Sequence, residues 1–295
     1  MKTKIAIHSL NVLVCAGTIL AITARAQAQN LFVANQAGTI FEVSSSGTAT
    51  PFATGIADPV SLAVNAQGDV FEASEYTITE FMPGGGQATF STAPNPDNPA
   101  MPSGPLSGYL AMDSSGNLFA SSPGDYIFEF ASGGTESVSA DPYAPEAMAF
   151  DSAGNMFVQN FGGSPFGVPV SPYLAENGSS IASGSYGPLA CDNAGDLFAG
   201  SGGSSIIEFM PGAGQKNFYS GQAGSFACDT KGDLYMTSTD GIVEFSPDGT
   251  DEGVVIPGLD DPVALAFQPV PEPSAATLCV LGLSCCLLFR RSGKN

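Results

Sequence analysis

Leu110-Ala111-Met112-Asp113-Ser114-Ser115-Gly116-Asn117-Leu118-Phe119 contains two short apolar runs split by a polar turn. The Asp113 carboxylate can accept a backbone N–H two residues on, and Gly116 supplies the positive φ that a tight reversal needs. The stretch predicts a hairpin, with one strand from Leu110 to Met112 and a second from Leu118 to Ser121. The pattern apolar-Ala-x-Asp/Asn-x-x-Gly-Asp/Asn-apolar-aromatic returns over 62–71, 148–157, 189–198 and 226–235. Successive final aromatics, Phe71, Phe119, Phe157, Phe198 and Tyr235, are separated by 48, 38, 41 and 37 residues.

That period matches one four-stranded propeller blade per repeat. Ala stands between two larger apolar residues in every copy, as Ala63, Ala111, Ala149, Ala190 and Ala227. An innermost blade strand is squeezed by neighbours on both faces, so a small residue fits there. Most hairpins are followed by Ile-x-Glu-aromatic or a close variant: Ile78 to Phe81, Ile127 to Phe130, Ile206 to Phe209 and Ile242 to Phe245. These predict third strands, with turns after them at Pro83-Gly84-Gly85, Ser132-Gly133-Gly134, Pro211-Gly212 and Pro247-Asp248-Gly249. A weaker fourth strand is expected next, for example over 215–219.

The ends complete the count. Residues 30–33 read as a second strand with no first strand before it, and 40–43 as its third strand. Leu265-Ala266-Phe267 reads as a first strand with no second strand after it. Pairing them makes one blade from both termini and leaves no exposed sheet edge. The expected fold is all-β: a six-bladed β-propeller of four-stranded blades, closed by pairing N- and C-terminal strands. Two places break the pattern. Phe161-Gly162-Gly163-Ser164-Pro165-Phe166-Gly167 stands where the third blade should carry Ile-x-Glu-Phe, and a Pro-rich stretch from Pro94 to Pro105 lengthens the link between the first two internal blades. Long irregular loops are where scaffolds often carry function.

Two processing segments flank the body. Residues 1–28 have a positive start (Lys2, Lys4), a mostly apolar run from Ile5 to Ile22, and a small-x-small cleavage site at 24–26 or 26–28. This reads as a secretory signal peptide. At the other end, Pro271-Glu272-Pro273 precedes an apolar run from Ala275 to Phe289 and then Arg290-Arg291. The run is shorter than the roughly 20 residues of a full helical span, and the basic end favours a cytoplasmic C-terminus. The division is therefore 1–28 leader, 29–268 propeller, 269–295 tail.

Composition bounds the partners. The chain has 28 Asp and Glu against 8 Lys and Arg. Three cations (Lys2, Lys4, Arg25) lie in the leader and three (Arg290, Arg291, Lys294) in the tail, so only Lys216 and Lys231 remain in the body. Such a surface repels phosphate backbones, which argues against nucleic-acid binding. Of the side chains that carry chemistry, the only His, His8, lies in the leader. That argues against Ser-His-Asp, Cys-His and His-bearing metal chemistry in the body. There is no Trp for sugar stacking, although Tyr76, Tyr109, Tyr126, Tyr143, Tyr173 and Tyr186 could serve. Carboxylates alone suit acid–base pairs or a hard cation. The recurring Glu80, Glu129, Glu208 and Glu244 read as structural or solvent-facing, and the hairpin aspartates as turn formers. No cofactor is expected, with calcium at the turns the one alternative. Cys191 and Cys228 hold the same slot on consecutive blades, where other copies have Val64, Met112, Phe150 and Phe267. They read as buried thiols, with a disulfide as the alternative in an oxidising compartment.

The tail, with its Pro-Glu-Pro triplet, short apolar segment and basic end, resembles the PEP-CTERM sorting signal. That resemblance implies a bacterial surface or matrix protein whose tail is cut by an exosortase-like protease. The sorting residues would be Pro271, Glu272, Pro273, Arg290 and Arg291, with transient anchoring in the inner membrane. The hairpins and Ile-x-Glu-aromatic strands over about 30–268 resemble the NHL-repeat and gluconolactonase-like propellers. This second resemblance implies a fold and leaves function open, because propellers host enzymes and binding modules alike. The sequence favours an exported module that binds an extracellular polysaccharide or a surface protein, and leans away from an enzyme. The alternative is a metal-dependent lactonase or lyase-like propeller, with Glu, Asn and Asp converging at one channel mouth; no residue of this chain is matched to those positions.

Overall fold

A computed structural model describes residues 29–74, 77–92, 94–95, 98–102, 109–122, 126–131, 136–140, 145–160, 173–176, 179–183, 186–201 and 204–270. The leader and the sorting residues Pro271, Glu272, Pro273, Arg290 and Arg291 lie outside them. Among the described residues no helix is long and apolar enough to cross a membrane.

The described strands form six four-stranded antiparallel sheets, the blades. Blade 1 contains Ser61–Val64, Val70–Ala73, Thr77–Met82 and Gly86–Thr92, from the inside outward. Blade 2 contains Leu110–Met112, Leu118–Ser122, Tyr126–Phe130 and Glu136–Ala140. Blade 3 contains Pro145–Phe150, Met156–Asn160, Tyr173–Glu176 and Ser179–Ser183. Blade 4 contains Tyr186–Cys191, Leu197–Ser201, Ser205–Met210 and Gly214–Ser220. Blade 5 contains Phe226–Cys228, Leu234–Ser238, Gly241–Phe245 and Asp251–Pro257. The closing blade takes Pro262–Phe267 from the C-terminal side and Leu31–Asn35, Thr39–Val43 and Ala49–Thr54 from the N-terminal side. Leu31 pairs with Phe267 and Val33 with Leu265, as the terminal half-motifs predict.

Register explains the repeat. In every blade the innermost Ala lies opposite the second-strand aromatic, and that aromatic lies opposite a third-strand Glu. The rows are Ala63–Phe71–Glu80, Ala111–Phe119–Glu129, Ala149–Phe157–Glu176, Ala190–Phe198–Glu208, Ala227–Tyr235–Glu244 and Ala266–Phe32–Glu42. The small Ala leaves room for the ring beside it. Phe32, Phe71 and Phe198 each pack into the seam with the next blade, among residues such as Val70, Leu118 and Leu234 respectively. Each such buried ring stabilises the seam by roughly 1.5–3 kcal/mol. The third blade corrects the sequence expectation. It does carry the third strand, Tyr173–Glu176, with Glu176 in the common register opposite Phe157. The stretch from 161 to 172 only displaces it along the chain. The Pro-rich stretch likewise contains a short ribbon, Pro94–Asn95 paired with Asn98–Pro102.

A further repeat lies in the outer strands. A bulge there turns one residue inward: Phe52, Phe90 and Phe218. Phe90 stands edge-on between Phe71 and Phe130 of the next blade, at 4.9 and 5.5 Å, and Phe218 between Phe198 and Phe245, at 4.9 and 6.1 Å.

Strand direction gives the molecule two unlike rims. Innermost strands run toward the rim of the hairpin turns, and the chain enters at Leu31 and leaves after Phe267 on that same hairpin rim. Neighbouring turns are stitched together there: Ser152 Oγ donates to the Asn193 carbonyl, Asn193 Nδ2 to the Thr230 carbonyl, and the Thr230 N–H to Gln29 Oε1. The other end, the far rim, receives the links from second to third strands and from one blade to the next.

Candidate functional site

The innermost strands enclose a central channel of about 650 Å³. Its middle is apolar, lined by residues such as Leu62, Leu110, Met148 and Leu265. The hairpin-rim mouth is polar, with Gln29, Asp113, Ser152, Asp192 and Asn193. At the far mouth stand Val60, Tyr109, Pro188, Ala223 and Val263. A second crevice of about 620 Å³ runs between blades 3 and 4, with Phe157, Leu197 and Phe209 in its lining. The bulge position that carries Phe52, Phe90 or Phe218 elsewhere is occupied in blade 3 by Ile181.

The hairpin carboxylates are tied into their own turns. Asp113 Oδ1 accepts the N–H groups of Ser115 and Asn117, and Asn117 Nδ2 donates to Oδ2 at 2.9 Å. Asp151 and Asn155 repeat this arrangement, and Asn65 with Asp69 inverts it. In blade 5 both partners are acids, and Lys231 Nζ lies 3.6 Å from Asp229 and 3.7 Å from Asp233. Blade 4 pairs two acids as well, Asp192 and Asp196, without an amide or a turn lysine. Burial first, and then the Asp192 charge, raise the Asp196 pKa, against a lowering by Lys216. These contacts are those expected of turn formers. No group of three or more His, Cys, Asp or Glu among the described residues has the disposition of a metal site.

The glutamates of the Ile-x-Glu-aromatic strands are withdrawn from solvent to different degrees. Glu208 is 3 % exposed and pairs with Lys216 at 2.9 Å, while Glu80, Glu129 and Glu244 are half-buried. Burial, followed by Asp69, raises the Glu80 pKa. The Tyr235 hydroxyl is also pushed up, by burial and then by its hydrogen bond to Glu244.

Cys191 and Cys228 are not joined by a disulfide. The slot is half-buried rather than fully buried, because both residues border the channel. Cys191 packs in the seam between blades 3 and 4, and Cys228 in the seam between blades 4 and 5. Burial raises the Cys228 thiol pKa well above the usual value.

Sequence reasoning missed Glu72. It is 1 % exposed, its Oε1 has no hydrogen-bond partner, and burial raises its pKa to about 7. The corresponding residues of the other blades are Val33, Ala120, Val158, Ala199 and Met236, and lining up the copies exposes the exception.

No family model matches the chain, and no curated protein does. Solved structures do. A streptogramin B lyase is 16 % identical, with 81 % of this chain and 84 % of that one covered and a TM-score of 0.54. A gluconolactonase from Xanthomonas campestris is 16 % identical, with 84 % and 86 % covered and a TM-score of 0.57. A protein of unknown function from Bacteroides caccae is 13 % identical, with 83 % and 100 % covered and a TM-score of 0.56. Likeness at these identities is one of fold: the chain is a six-bladed β-propeller related in structure to lactonases, lyases and proteins without an assigned activity.

Proposed function

We propose that this chain is an exported binding module of the cell surface or extracellular matrix, sorted and cut at its C-terminal tail. The observation that carries the binding reading is the channel lining. Its middle is apolar, and the carboxylates at its mouth, Asp113 and Asp151 among them, are engaged in holding their own turns. That supports a scaffold for contact over a convergent acid–base or metal centre. The export reading rests on the leader over 1–28 and on Pro271-Glu272-Pro273, the apolar run and Arg290-Arg291. An exosortase-like protease is the processing partner, and anchoring in the inner membrane lasts until the cut.

The test is intact-mass analysis and fractionation of the protein from its native host. The expected product begins near residue 29, ends near the triplet, and is recovered outside the membrane. A mature form that keeps Arg290 and Arg291 and sediments with membranes would replace sorting by plain anchoring. Metal-restored lactone hydrolysis that is lost on substituting a channel-mouth carboxylate would replace the binding module by an enzyme.

A further inference from the structure

The channel wall is apolar in residue type but polar in the atoms it turns inward. Each innermost strand is the inner edge of its sheet and has a partner on one side only. In every blade the residue that follows this strand donates its N–H across to the second strand, as Asn65 does to the Asp69 carbonyl and Gln268 to the Asn30 carbonyl. Antiparallel pairing alternates, so the residue before it turns its N–H and C=O the other way, and so does the residue two further back. Two tiers result. The one nearer the hairpin rim holds Val64, Met112, Phe150, Cys191, Cys228 and Phe267, and the deeper one Leu62, Leu110, Met148, Leu189, Phe226 and Leu265. All of them line the channel. Leu110 shows the direction, because its N–H reaches past its own sheet to Ser61 Oγ of blade 1 at 3.1 Å.

The side chains of both tiers are engaged elsewhere. The two tier residues of each blade belong to one of the six apolar seam clusters, Leu62 and Val64 with Phe32, for example, and Phe226 and Cys228 with Phe198. What remains for the axis is a lattice of peptide groups. Leu110 and Cys191 aside, no protein group among the described residues answers the tier N–H groups. Backbone donors and acceptors withdrawn into a channel call for a partner. The tiers lie two residues apart along every strand, about 6.6 Å. An extended peptide repeats its own N–H and C=O on one side at that same interval. The channel mouth adds charge: Asp113, Asp151 and Asp192 border it on the hairpin rim, and no lysine or arginine borders the channel among the described residues. That mouth favours a positive end.

We propose that the central channel takes the extended amino-terminal end of a partner polypeptide, held by its backbone as a strand added to an inner blade edge, with its amino group at the hairpin mouth. The inference rests on the reading of the chain as a binding module and names its ligand class. Strand addition draws affinity from main-chain hydrogen bonds. With the amino end at the hairpin mouth, the peptide runs opposite to the innermost strands, and antiparallel pairing is the more stable of the two. The volume of about 650 Å³ is that of a small-ligand site, so one strand enters and its side chains are small. About five such residues span about 17 Å. A polyol would answer the peptide groups but not their two-residue interval, and an acidic peptide would answer the interval but not the charge of the mouth.

The experiment titrates the full-length chain in mild detergent by calorimetry with penta-alanine amide, its N-acetylated form, a form methylated at every peptide nitrogen, and maltotriose. Penta-alanine serves as the probe because the backbone is what is recognised. The free-amine peptide is expected to bind one to one, the methylated form at least about tenfold more weakly, and maltotriose not at all. Asp192→Asn, which places in blade 4 the residue type that Asn65 provides in blade 1, should weaken the free-amine peptide and leave the acetylated one unchanged. Hydrogen exchange of the parent chain, read residue by residue by NMR, needs no variant. In the free chain the N–H groups of Val64, Met112 and Phe150 should exchange faster than those of Ala63, Ala111 and Ala149, which pair with second strands. The peptide should slow both tiers of at least one blade about tenfold or more. No binding of penta-alanine, equal binding of the methylated form, or protection only outside the channel overturns the proposal and leaves the binding-module reading standing. Maltotriose binding that slows the tiers where the peptide does not has the same consequence. Cleavage of the peptide removes that broader reading too.

Discussion

The side-chain amide of Asn35 donates a 3.0 Å hydrogen bond to the backbone carbonyl of Leu259, joining positions 224 residues apart. Asn35 is 3 % exposed, and its Oδ1 accepts the Thr39 N–H at 2.9 Å. One side chain thus ties the second strand of the closing blade both to its third strand and to the segment that feeds its innermost strand. Asn35→Ala is expected to destabilise the propeller by about 1–3 kcal/mol, since it leaves buried backbone groups unpaired. Asn35→Asp should cost more at neutral pH, because it sets a carboxylate against the Leu259 carbonyl. Chemical denaturation checks both; an alanine variant as stable as the parent would show that strand pairing alone closes the ring.

Asp192 and Asp196 provide a natural comparison with the other hairpins. Where the pair is Asp–Asn, an amide bridges the carboxylate at 2.9 Å (Asn117 to Asp113) or 2.7 Å (Asn155 to Asp151). Asp196→Asn should recreate that bridge and remove the repulsion that contributes to the raised Asp196 pKa. A gain of about 0.5–1.5 kcal/mol is expected near pH 7, the worth of one such hydrogen bond. Thermal melting of the two proteins in parallel tests it. A variant that melts lower than the parent would mean that Lys216 already balances the second acid.

How much of this was legible in the sequence depends on whether a feature respects the repeat. The Ala–aromatic–Glu rows did, and they were read wherever the spacing stayed close to the period. Glu176 was hidden because the 161–172 stretch separates it from its hairpin, so a short motif search finds nothing at the expected offset. The bulge aromatics Phe52, Phe90 and Phe218 were hidden for another reason. A bulge inserts one residue against its partner strand, so the period-2 alternation that marks an inward position fails there.

Cys191 and Cys228 should remain reduced even in an oxidising compartment. Each thiol packs into a different seam, and the innermost strand of blade 4 lies between those seams. A disulfide demands Cβ atoms close together and pointing toward each other. Desolvation also raises the Cys228 thiol pKa, which keeps the thiol protonated and slows its attack on oxidants. Alkylation under denaturing conditions without reductant, followed by mass spectrometry, is expected to find both cysteines modified. A Cys191–Cys228 linked peptide would show that the blades move enough to bring the sulfurs together.

Glu72 makes stability depend on pH in a direction opposite to that of a salt-bridged acid. Leu62 and Thr79 flank it in register, and Leu62 belongs to the apolar cluster that joins blade 1 to the closing blade through Phe32, Ala34 and Ile40. Burial raises the Glu72 pKa from 4.5 to about 7. Below about pH 4.5 the group is protonated in both folded and unfolded chains, and it makes no difference to folding. Between about 4.5 and 7 the folded chain still holds a proton that the unfolded chain has lost, so stability falls as pH rises. Above about 7 the folded chain ionises as well, and the loss levels off at about 3 kcal/mol. Glu72→Gln keeps the shape and removes the charge. The variant should match the parent near pH 4 and exceed its stability by about that amount at pH 8. Every other acid titrates alike in the two proteins, so the difference between their urea curves isolates this one group. A difference that stays constant from pH 4 to pH 8 would mean that Glu72 reaches water when ionised, and that the seam between blade 1 and the closing blade opens to admit it.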